Sequence, residues 1–488
     1  MATTTQQLLR DKAWARWTAL VLLASAMFFG YIFMDVLSPL QEYLQSEKGW
    51  GPMAYGRFAG SETFLNVFVF FLIFAGIILD KMGVRFTAIL SGSVMLIGGA
   101  INFYALTDAF ANSSLSHAME DFVNLPDTWW NITPFFKGMP ASAKLSAIGF
   151  MIFGCGVEMA GITVSRGIVK WFEGKEMALA MGIEMAIARV GVAVVFLGSP
   201  AIAAFHNNVS VSRPLGVAVL LLCIGLICFI SYSFMDRKLE KEMGTNGEVK
   251  DDPFKISDLK YIFSSKVFWI VALLCVLYYS AIFPFQKYAN NMLQCNLGIT
   301  AEQAGQVFFV FPLGAAAITP FLGNYLDRKG KGATMLIFGA LLMIVCHLTF
   351  AFILPATKSA VIAYAAIILL GISFSLVPAS LWPSVPKLVD NKLLGSAYAV
   401  IFWIQNIGLY AFPMIIGAVL SATNKGVTDP LQYNYTVPMV LFACLGGLAL
   451  IFGIMLKALD AKNHYGLELP NVPQTDKEAA EGEVVGDL

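Results

Sequence analysis

The feature that most constrains this chain is a series of apolar runs, each about twenty residues long, that recurs along its length. Crossing the hydrocarbon core of a bilayer takes roughly 20 mostly apolar residues in a helix. We count twelve such runs, six before and six after a charged segment over residues 236–260. Charged residues make up only 13% of the 488 residues, against roughly 25% in an average soluble protein. The sequence therefore predicts an all-α membrane protein with twelve transmembrane helices.

The positions of the basic residues orient these helices. With the N-terminus in the cytoplasm, 22 of the 32 Lys and Arg residues fall in cytoplasmic segments, eight in external segments and two within spans. Such an excess follows the positive-inside rule, so we expect both termini to be cytoplasmic. The first apolar run, residues 17–40, exceeds the roughly 7–15 residues of a signal-peptide core. We therefore expect it to remain as the first span.

Two patterns in the first half of the chain recur in the second. Residues 76–85 (GIILDKMGVR) match residues 323–331 (GNYLDRKGK) in Gly, Asp, a basic residue and a second Gly, at an offset of 247 residues. Lys175, Ala180 and Gly191 recur as Lys392, Ala397 and Gly408, at an offset of 217. The offsets differ by 30 residues, which is about the extra length of the external segment 107–143. One insertion therefore reconciles both alignments and indicates a duplicated six-helix unit.

The duplication gives the domain boundaries. We expect an N-terminal six-helix bundle over residues 1–236, a cytoplasmic linker over 237–266, a C-terminal six-helix bundle over 267–459 and a disordered cytoplasmic tail over 460–488. Two pseudo-symmetric bundles of this kind are typical of secondary transporters, which bind their substrate between repeats near the centre of the membrane.

The repeated turn also predicts a gate. Its glycines allow helices to approach closely, and its aspartates, Asp80 and Asp327, can pair with a base or cap the following helix. A tight charged turn without a gating role is the alternative. We expect Arg166 and Glu184, near the cytoplasmic ends of their spans, to pair with Asp80 or Arg85. The predicted gating residues are Asp80, Arg85, Arg166, Glu184, Asp327 and Arg328.

Charged residues inside spans need a partner, a cavity or a function, because a charge at the helix centre costs about 2.5–3.5 kcal/mol even on lenient scales. Glu158 and Arg189 lie at similar depth in spans four and five. An acid and a base at one level suit a zwitterion, with Glu158 binding an ammonium group and Arg189 a carboxylate. The alternative is a buried salt bridge between the two. Asp35 and Glu62, nearer the external side, are interpreted as solvated residues of the vestibule.

Polar and aromatic residues of the second half reach a similar depth. We expect Gln405 and Asn406 in span eleven to contact an amide, with Tyr278 and Tyr279 in span seven at a similar depth. Trp382 lies deeper, toward the cytoplasmic end of span ten. The predicted substrate-binding residues are Glu158, Arg189, Gln405, Asn406, Tyr278, Tyr279 and Trp382.

The repeated motif and the twelve-span plan resemble the major facilitator superfamily over almost the whole chain. Within it, several stretches resemble the branch of lysosomal dipeptide uniporters and their bacterial relatives. These stretches are residues 154–158 (GCGVE), 171–176 (WFEGKE), 188–191 (ARVG), 381–385 (LWPSV), 394–398 (LGSAY) and 405–408 (QNIG). The resemblance implies uniport of dipeptides, the same roles for the matching cavity residues, and spans three, six, nine and twelve facing lipid.

One feature departs from the animal members of that branch, which carry an acidic dileucine sorting signal. Here Leu8-Leu9 follows Thr and Gln without an acidic residue upstream. We therefore expect a bacterial inner membrane rather than a lysosomal one, and a monomer, with an accessory subunit left open. Two N-x-[ST] patterns, at Asn112 and Asn131, are weak indications of glycosylation.

The sequence leaves other functions open and excludes some. It contains no nucleophile–base arrangement and no cluster with metal-ligand spacing, so we expect neither an enzyme nor a cofactor. The net charge of zero argues against a nucleic-acid partner; the expected partners are the lipid bilayer and a small solute. The alternatives to a dipeptide carrier are a proton-coupled organic-anion or sugar carrier and a membrane receptor or scaffold that does not transport.

Overall fold

The computed structural model describes residues 8–128, 130–243, 258–389 and 393–470. The predicted linker and tail therefore lie partly outside the described residues, at 244–257 and 471–488.

The helices of the first half are α1 (Ala13–Asp35), α2 (Gln41–Lys48), α3 (Pro52–Ser61), α4 (Phe64–Phe68), α5 (Phe71–Ala105), α6 (Asp108–Ala111), α7 (Ser114–Asp121), α8 (Ala141–Phe172), α9 (Met177–Ala203) and α10 (Ser212–Met243). Those of the second half are α11 (Asp258–Ser264), α12 (Lys266–Leu297), α13 (Ala301–Phe308), α14 (Val310–Lys329), α15 (Gly332–Leu348), α16 (Leu354–Thr357), α17 (Ala360–Leu388), α18 (Leu394–Thr423) and α19 (Thr436–Asn463).

The described helices make twelve membrane crossings. Eleven helical stretches of the described chain are long and apolar enough to cross a membrane. One of them, α5, has 35 residues, and at about 1.5 Å per residue it is too long for a single crossing of a ~30 Å hydrocarbon core. Its backbone leaves helical geometry at Gly83, with φ 76° and ψ 169°, a conformation that glycine adopts readily. Residues 71–82 therefore end the second crossing, and the remainder of α5 forms the third.

The second crossing is not the continuous helix that the apolar run over residues 57–79 predicts. It consists of α3, α4 and the start of α5, with breaks at Glu62–Thr63 and at Val69–Phe70. Phe70 has a positive φ of 55°. The Glu62 backbone packs directly on Gly154 of α8, where a Cβ atom would lie 1.9 Å from the Glu62 carbonyl oxygen. This contact between helices lies at a turn that interrupts the second crossing. The hydropathy of the sequence does not predict such an interruption.

The two halves pack on each other through two equivalent helix pairs. In one pair, Gly56 of α3 faces α18, where an added Cβ atom would lie 2.5 Å from the Pro413 carbonyl oxygen. In the other, a Cβ atom on Gly305 of α13 would lie 2.0 Å from the Phe196 carbonyl oxygen of α9. The second crossing, which contains α3, therefore packs closely on the eleventh, α18. The eighth crossing, which contains α13, packs in the same way on the fifth, α9, and each contact has a small residue. This arrangement agrees with the duplication predicted from the sequence.

The described chain begins and ends on one side of the bundle. We call the side with Leu8 and Pro470 the terminal face, and the opposite side, with the segment 106–140, the loop face. Between them, the interior helices are well covered: 72% of the most apolar stretch of α8 and 67% of that of α12 are buried, against 33% for α10. The low value for α10, the sixth crossing, agrees with a lipid-facing position.

Candidate functional site

Arg189 lies near the middle of α9 and presents its guanidinium toward the second half. Its Cζ atom lies 4.5 Å from the centroid of the Phe374 ring on α17, which is a favourable distance for a cation over an aromatic face. Its Nη1 atom is buried and has no hydrogen-bond partner in the described chain. A buried donor without a partner costs about 1–3 kcal/mol. The nitrogen therefore marks a position where an acceptor from outside the chain would be stabilising.

Glu158 lies near the middle of α8 and is half-buried. The amide of Asn406, on α18 of the other half, lies close to the Glu158 carboxylate. Within the described residues, no ion pair at 4.0 Å or less joins Glu158 to Arg189. The mutual salt bridge that the sequence left open is therefore not formed in this structure, and both charges can interact with a third group.

The hydroxyl of Tyr31 on α1 lies near several charged side chains. It is within electrostatic range of Glu62, Glu158, Glu184 and Arg189. All five side chains are half-buried, so they border accessible space between the helices. We call these five residues the central charged cluster. Its three carboxylates come from the break in the second crossing, from α8 and from α9, and they outnumber its single guanidinium.

An aromatic group from the second half borders this cluster. The Tyr279 hydroxyl lies near the Arg189 guanidinium and accepts a hydrogen bond of 3.1 Å from Nε1 of Trp382. The Trp382 ring stacks on Phe402 at 4.8 Å between centroids. Tyr279 is thus held near Arg189 by its hydrogen bond with Trp382.

Two predicted substrate-binding residues point elsewhere. Tyr278 is buried and donates its hydroxyl hydrogen bond to the Leu336 carbonyl oxygen on α15. Gln405 is buried and accepts a hydrogen bond of 3.4 Å from Sγ of Cys275 on α12. Neighbouring residues of a helix point about 100° apart at 3.6 residues per turn, so Tyr278 and Gln405 cannot share the direction of Tyr279 and Asn406. In this structure both side chains bond to a neighbouring helix, and their role in substrate binding stays a prediction.

Three of the predicted gating residues of the first half, Asp80, Arg85 and Arg166, form ion pairs at the terminal face. Arg166 Nη2 lies 3.0 Å from Asp80 Oδ1, as the sequence predicts. Arg85 instead pairs with Glu240 of α10, at 2.7 Å between Nη2 and Oε2. Glu184 makes no ion pair at 4.0 Å or less in the described chain. Its expected pairing with Arg85 is wrong, because Arg85 pairs with Glu240 and Glu184 belongs to the central charged cluster.

The equivalent residues of the second half occupy the matching position. Asp327 and Arg328 lie in the last turn of α14, immediately before the turn at Gly330. Gly330 has a positive φ of 70°, like Gly83 in the first half. The repeated motif therefore forms a sharp turn on the terminal face in both halves. Its gating role stays a prediction.

At the loop face, a buried ion pair joins the halves. Asp35 Oδ1, at the end of α1, lies 2.9 Å from Lys287 Nζ on α12. Asp35 Oδ2 accepts a hydrogen bond of 2.7 Å from Gln286 Nε2, and Lys287 Nζ also donates to the Met34 carbonyl oxygen at 2.9 Å. Asp35 is only 1% exposed. The interpretation of Asp35 as a solvated vestibule residue is wrong, because its partner from the other half covers it. We call Asp35, Gln286 and Lys287 the loop-face lock.

The long external segment reinforces this closure. Arg57 of α3 donates hydrogen bonds of 2.7 Å to the carbonyl oxygens of Asn131 and Thr133. Tyr410 of α18 donates to the carbonyl oxygen of Ile132 between them. The Asn131 side chain is buried and donates to the Phe135 carbonyl oxygen at 2.7 Å. The second N-x-[ST] pattern thus fixes a loop that crosses from one half to the other.

The sequence reasoning missed four residues of this region: Tyr31, Phe374, Lys287 and Glu62 as a member of the cluster. Tyr31 precedes Asp35 by one helical turn, and that spacing could have indicated a shared face. The pairing of Lys287 with Asp35 spans 252 residues, and nothing in a local pattern reports it. Phe374 lies in an apolar run where aromatic residues are common.

The fold and the central cluster together define a polytopic secondary transporter built from two six-helix halves. A sequence profile described as Major Facilitator Superfamily matches residues 23–413 and 288–474, so the chain belongs to the major facilitator superfamily.

Among its relatives, the lysosomal dipeptide transporter MFSD1 of zebrafish (Danio rerio) is 26% identical over 457 residues, which cover 91% of this chain and 86% of the relative. MFSD1 of cattle (Bos taurus) is 30% identical over 293 residues, covering 57% of this chain and 59% of the relative. The human protein is 29% identical over 295 residues, covering 57% and 60%. The alignments thus span about three-fifths of the cattle and human proteins.

Solved structures show the same fold. A bacterial homologue of the human lysosomal transporter Spinster, in an inward-facing and unoccupied conformation, superposes with a TM-score of 0.67 at 14% identity, covering 95% of this chain and 99% of the other. The nucleoside transporter NupG gives a TM-score of 0.63 at 13% identity, covering 90% and 98%.

Proposed function

We propose that this transporter carries dipeptides across the membrane by alternating access. The observation that carries the proposal is the Arg189 guanidinium, which is held over Phe374 with a buried Nη1 atom that lacks a partner. A carboxylate is the acceptor that a guanidinium binds best, through parallel hydrogen bonds. The names of the relatives, lysosomal dipeptide transporters, support the same class of substrate.

The second charge of the substrate is assigned to Glu158. Glu158 stands apart from Arg189 and has no basic partner within 4.0 Å among the described residues, so it is available to the ammonium group of a peptide. Asn406, its neighbour from the other half, can bind the peptide amide or help orient the carboxylate. Because these groups come from both halves of one chain, we propose that a single chain forms the whole site and works as a monomer.

Proteoliposome uptake tests the proposal. The purified protein is reconstituted, and accumulation of a radiolabelled dipeptide is measured with excess unlabelled dipeptide, N-acetylated dipeptide, dipeptide amide, nucleoside or sugar as competitor. We expect competition by free dipeptides only, and uptake reduced to the level of protein-free liposomes with Arg189→Gln. The proposal would be overturned if dipeptides were neither taken up nor able to compete, while a sugar or a nucleoside was transported.

For the transport mode, we propose uniport. Proton coupling is the second candidate, because Glu158 and Glu184 face accessible space without ion-pair partners in the described chain. The two modes differ in a measurable way. In liposomes loaded with a pH-sensitive dye, uniport of a zwitterion leaves the internal pH unchanged during uptake. Proton coupling would be established instead if the liposome interior acidified during dipeptide uptake and this acidification was absent in Glu158→Gln.

We also propose that the terminal face is cytoplasmic, as the basic residues predict. The exposed positions Ser114 on the loop face and Lys457 on the terminal face test this orientation. On isolated, sealed lysosomes, a membrane-impermeant thiol reagent should label Lys457→Cys in a variant that lacks the native cysteines. It should leave Ser114→Cys unlabelled until the membrane is permeabilised. The reverse pattern would contradict the proposed orientation.

For the compartment, the names of the relatives favour a lysosomal membrane over the bacterial inner membrane that we expected from Leu8-Leu9. We therefore propose lysosomal residence by a route that does not use this pair. Leu9 is 5% exposed, and its N–H group donates a hydrogen bond of 2.6 Å to Glu242. In cultured animal cells, a fusion with Leu9→Ala should still colocalise with lysosomal markers. Retention of the unmodified chain at the cell surface would contradict the proposal.

A further inference from the structure

A groove lies on the outside of the second half, between the start of α12 and the end of α19 at the terminal face. Its volume is about 740 Å³, within the roughly 300–1,000 Å³ of sites that bind small molecules. Its lining residues are Ser265, Lys266, Val267, Trp269, Ile270, Leu273, Phe452, Met455, Ala458, Leu459, Asn463 and Tyr465. The groove is separate from the central charged cluster, and the transport proposal does not use it.

The groove is polar at one end and apolar along the rest of its length. Ser265 and Lys266 at the start of α12 and Asn463 at the end of α19 lie at the terminal face. Ile270 and Leu273 lie further along α12, toward the middle of the membrane. A phospholipid has the same order, with a phosphate at the membrane surface and acyl chains below it. The groove therefore suits a lipid better than a wholly polar ligand.

Exposed aromatic residues place the polar end of the groove at the membrane surface. Tyr261 and Phe263 of α11 and Trp269 of α12 are all exposed. Trp269 stacks on Phe263 at 5.5 Å between centroids and donates a hydrogen bond of 2.9 Å to its carbonyl oxygen. Trp and Tyr are enriched at the level of the lipid headgroups. Lys266, three residues before Trp269, is therefore at headgroup level.

Lys266 supplies an unsatisfied positive charge at that level. It is exposed and forms no ion pair at 4.0 Å or less in the part of the chain that the structure describes. A basic residue at the membrane-surface end of a groove between transmembrane helices is typical of sites for anionic headgroups. We propose that this groove binds an anionic phospholipid of the leaflet at the terminal face, with its phosphate at Lys266 and an acyl chain along Ile270, Leu273 and Met455.

Native mass spectrometry of the whole chain tests the proposal. Delipidated protein is incubated with equal amounts of phosphatidylglycerol and phosphatidylcholine with identical acyl chains, and the retained lipids are counted. We expect a preference for phosphatidylglycerol that falls about fivefold with Lys266→Gln, the factor for ~1 kcal/mol per basic residue at a membrane surface. Lys462→Gln, at the end of α19 but outside the groove lining, is the matched control and should keep the preference.

A second variant separates the groove from general charge attraction. Ala458→Trp fills the apolar part of the groove without changing the charge, so it should reduce the number of retained lipids of both kinds. Equal retention of both lipids by the unmodified protein, or an unchanged preference in Lys266→Gln, would overturn the proposal. A dimeric mass without bound lipid would also overturn it, because a second copy of the chain would then cover the groove.

Discussion

The Arg189 guanidinium lies 4.5 Å over the Phe374 ring, although the two residues belong to different halves of the transporter. The contact stabilises the cation from one side, and the buried Nη1 atom has no hydrogen-bond partner in the described chain. Because α9 and α17 lie in opposite halves, the same contact can report their relative position. The proposed substrate site and the packing of the two halves therefore meet at these two residues.

Phe374 is expected to support dipeptide binding without touching the charge of the substrate. A contact between a cation and an aromatic ring contributes about 0.5–2 kcal/mol, so Phe374→Leu should weaken dipeptide affinity by about 2- to 30-fold. Dipeptide-induced thermal stabilisation measures the affinity. Phe338→Leu, at a residue that is 48% exposed on the outside of α15, is the control. Equal affinities in the two variants would contradict a role for the stacked ring.

The loop-face lock predicts a double-mutant result. Removing one partner of a buried ion pair costs about 3–5 kcal/mol, because the other charge stays buried. Asp35→Asn and Lys287→Met should therefore each lower the melting temperature of the protein strongly, and the double variant should recover most of the loss. If the losses instead add in the double variant, Asp35 and Lys287 do not stabilise each other.

The pair of Arg166 and Asp80 at the terminal face predicts a change in rate rather than in stability. Their side chains are 21% and 45% exposed, and exposed ion pairs contribute only about 0–1 kcal/mol. Asp80→Asn should slow dipeptide uptake while the melting temperature changes little. Asp108→Asn, at a side chain that is 96% exposed on the loop face, is the control. Unchanged uptake in both Asp80→Asn and Asp327→Asn would remove the gating role.

Two pairs of adjacent residues provide matched tests of the site. Tyr279→Phe and Asn406→Ala should weaken dipeptide binding, since both side chains border the central charged cluster. Tyr278→Phe and Gln405→Ala should instead lower the melting temperature, since both lose a buried hydrogen bond to a neighbouring helix. Binding constants and melting temperatures of the four variants distinguish these effects. Weaker binding in Tyr278→Phe at an unchanged melting temperature would contradict the assignment.

The sequence predicts the twelve crossings and the duplication well, because both depend on local hydropathy and on spacing along the chain. It predicts the contact between Arg166 and Asp80 and draws attention to Glu158 and Arg189, because charges inside apolar runs are conspicuous. The substrate-binding roles of Glu158 and Arg189 stay predictions. It does not predict the break at Glu62, which depends on contact with Gly154, or the pairing of Asp35 with Lys287. Depth alone also cannot separate Tyr278 from Tyr279, since neighbouring residues differ in direction rather than in depth.

The central claim is that Arg189 binds the carboxylate of a dipeptide and does not serve to neutralise Glu158. The most direct test compares the affinities of a dipeptide and its C-terminal amide in the unmodified protein, Arg189→Gln, and the double variant with Glu158→Gln. A charge-assisted hydrogen bond is worth about 1.5–3 kcal/mol, so the unmodified protein should prefer the free acid by about ten- to a hundredfold. In Arg189→Gln the two ligands should bind equally weakly, and the double variant should not recover binding. A preference for the free acid that survives Arg189→Gln, or dipeptide binding restored in the double variant, would contradict the account.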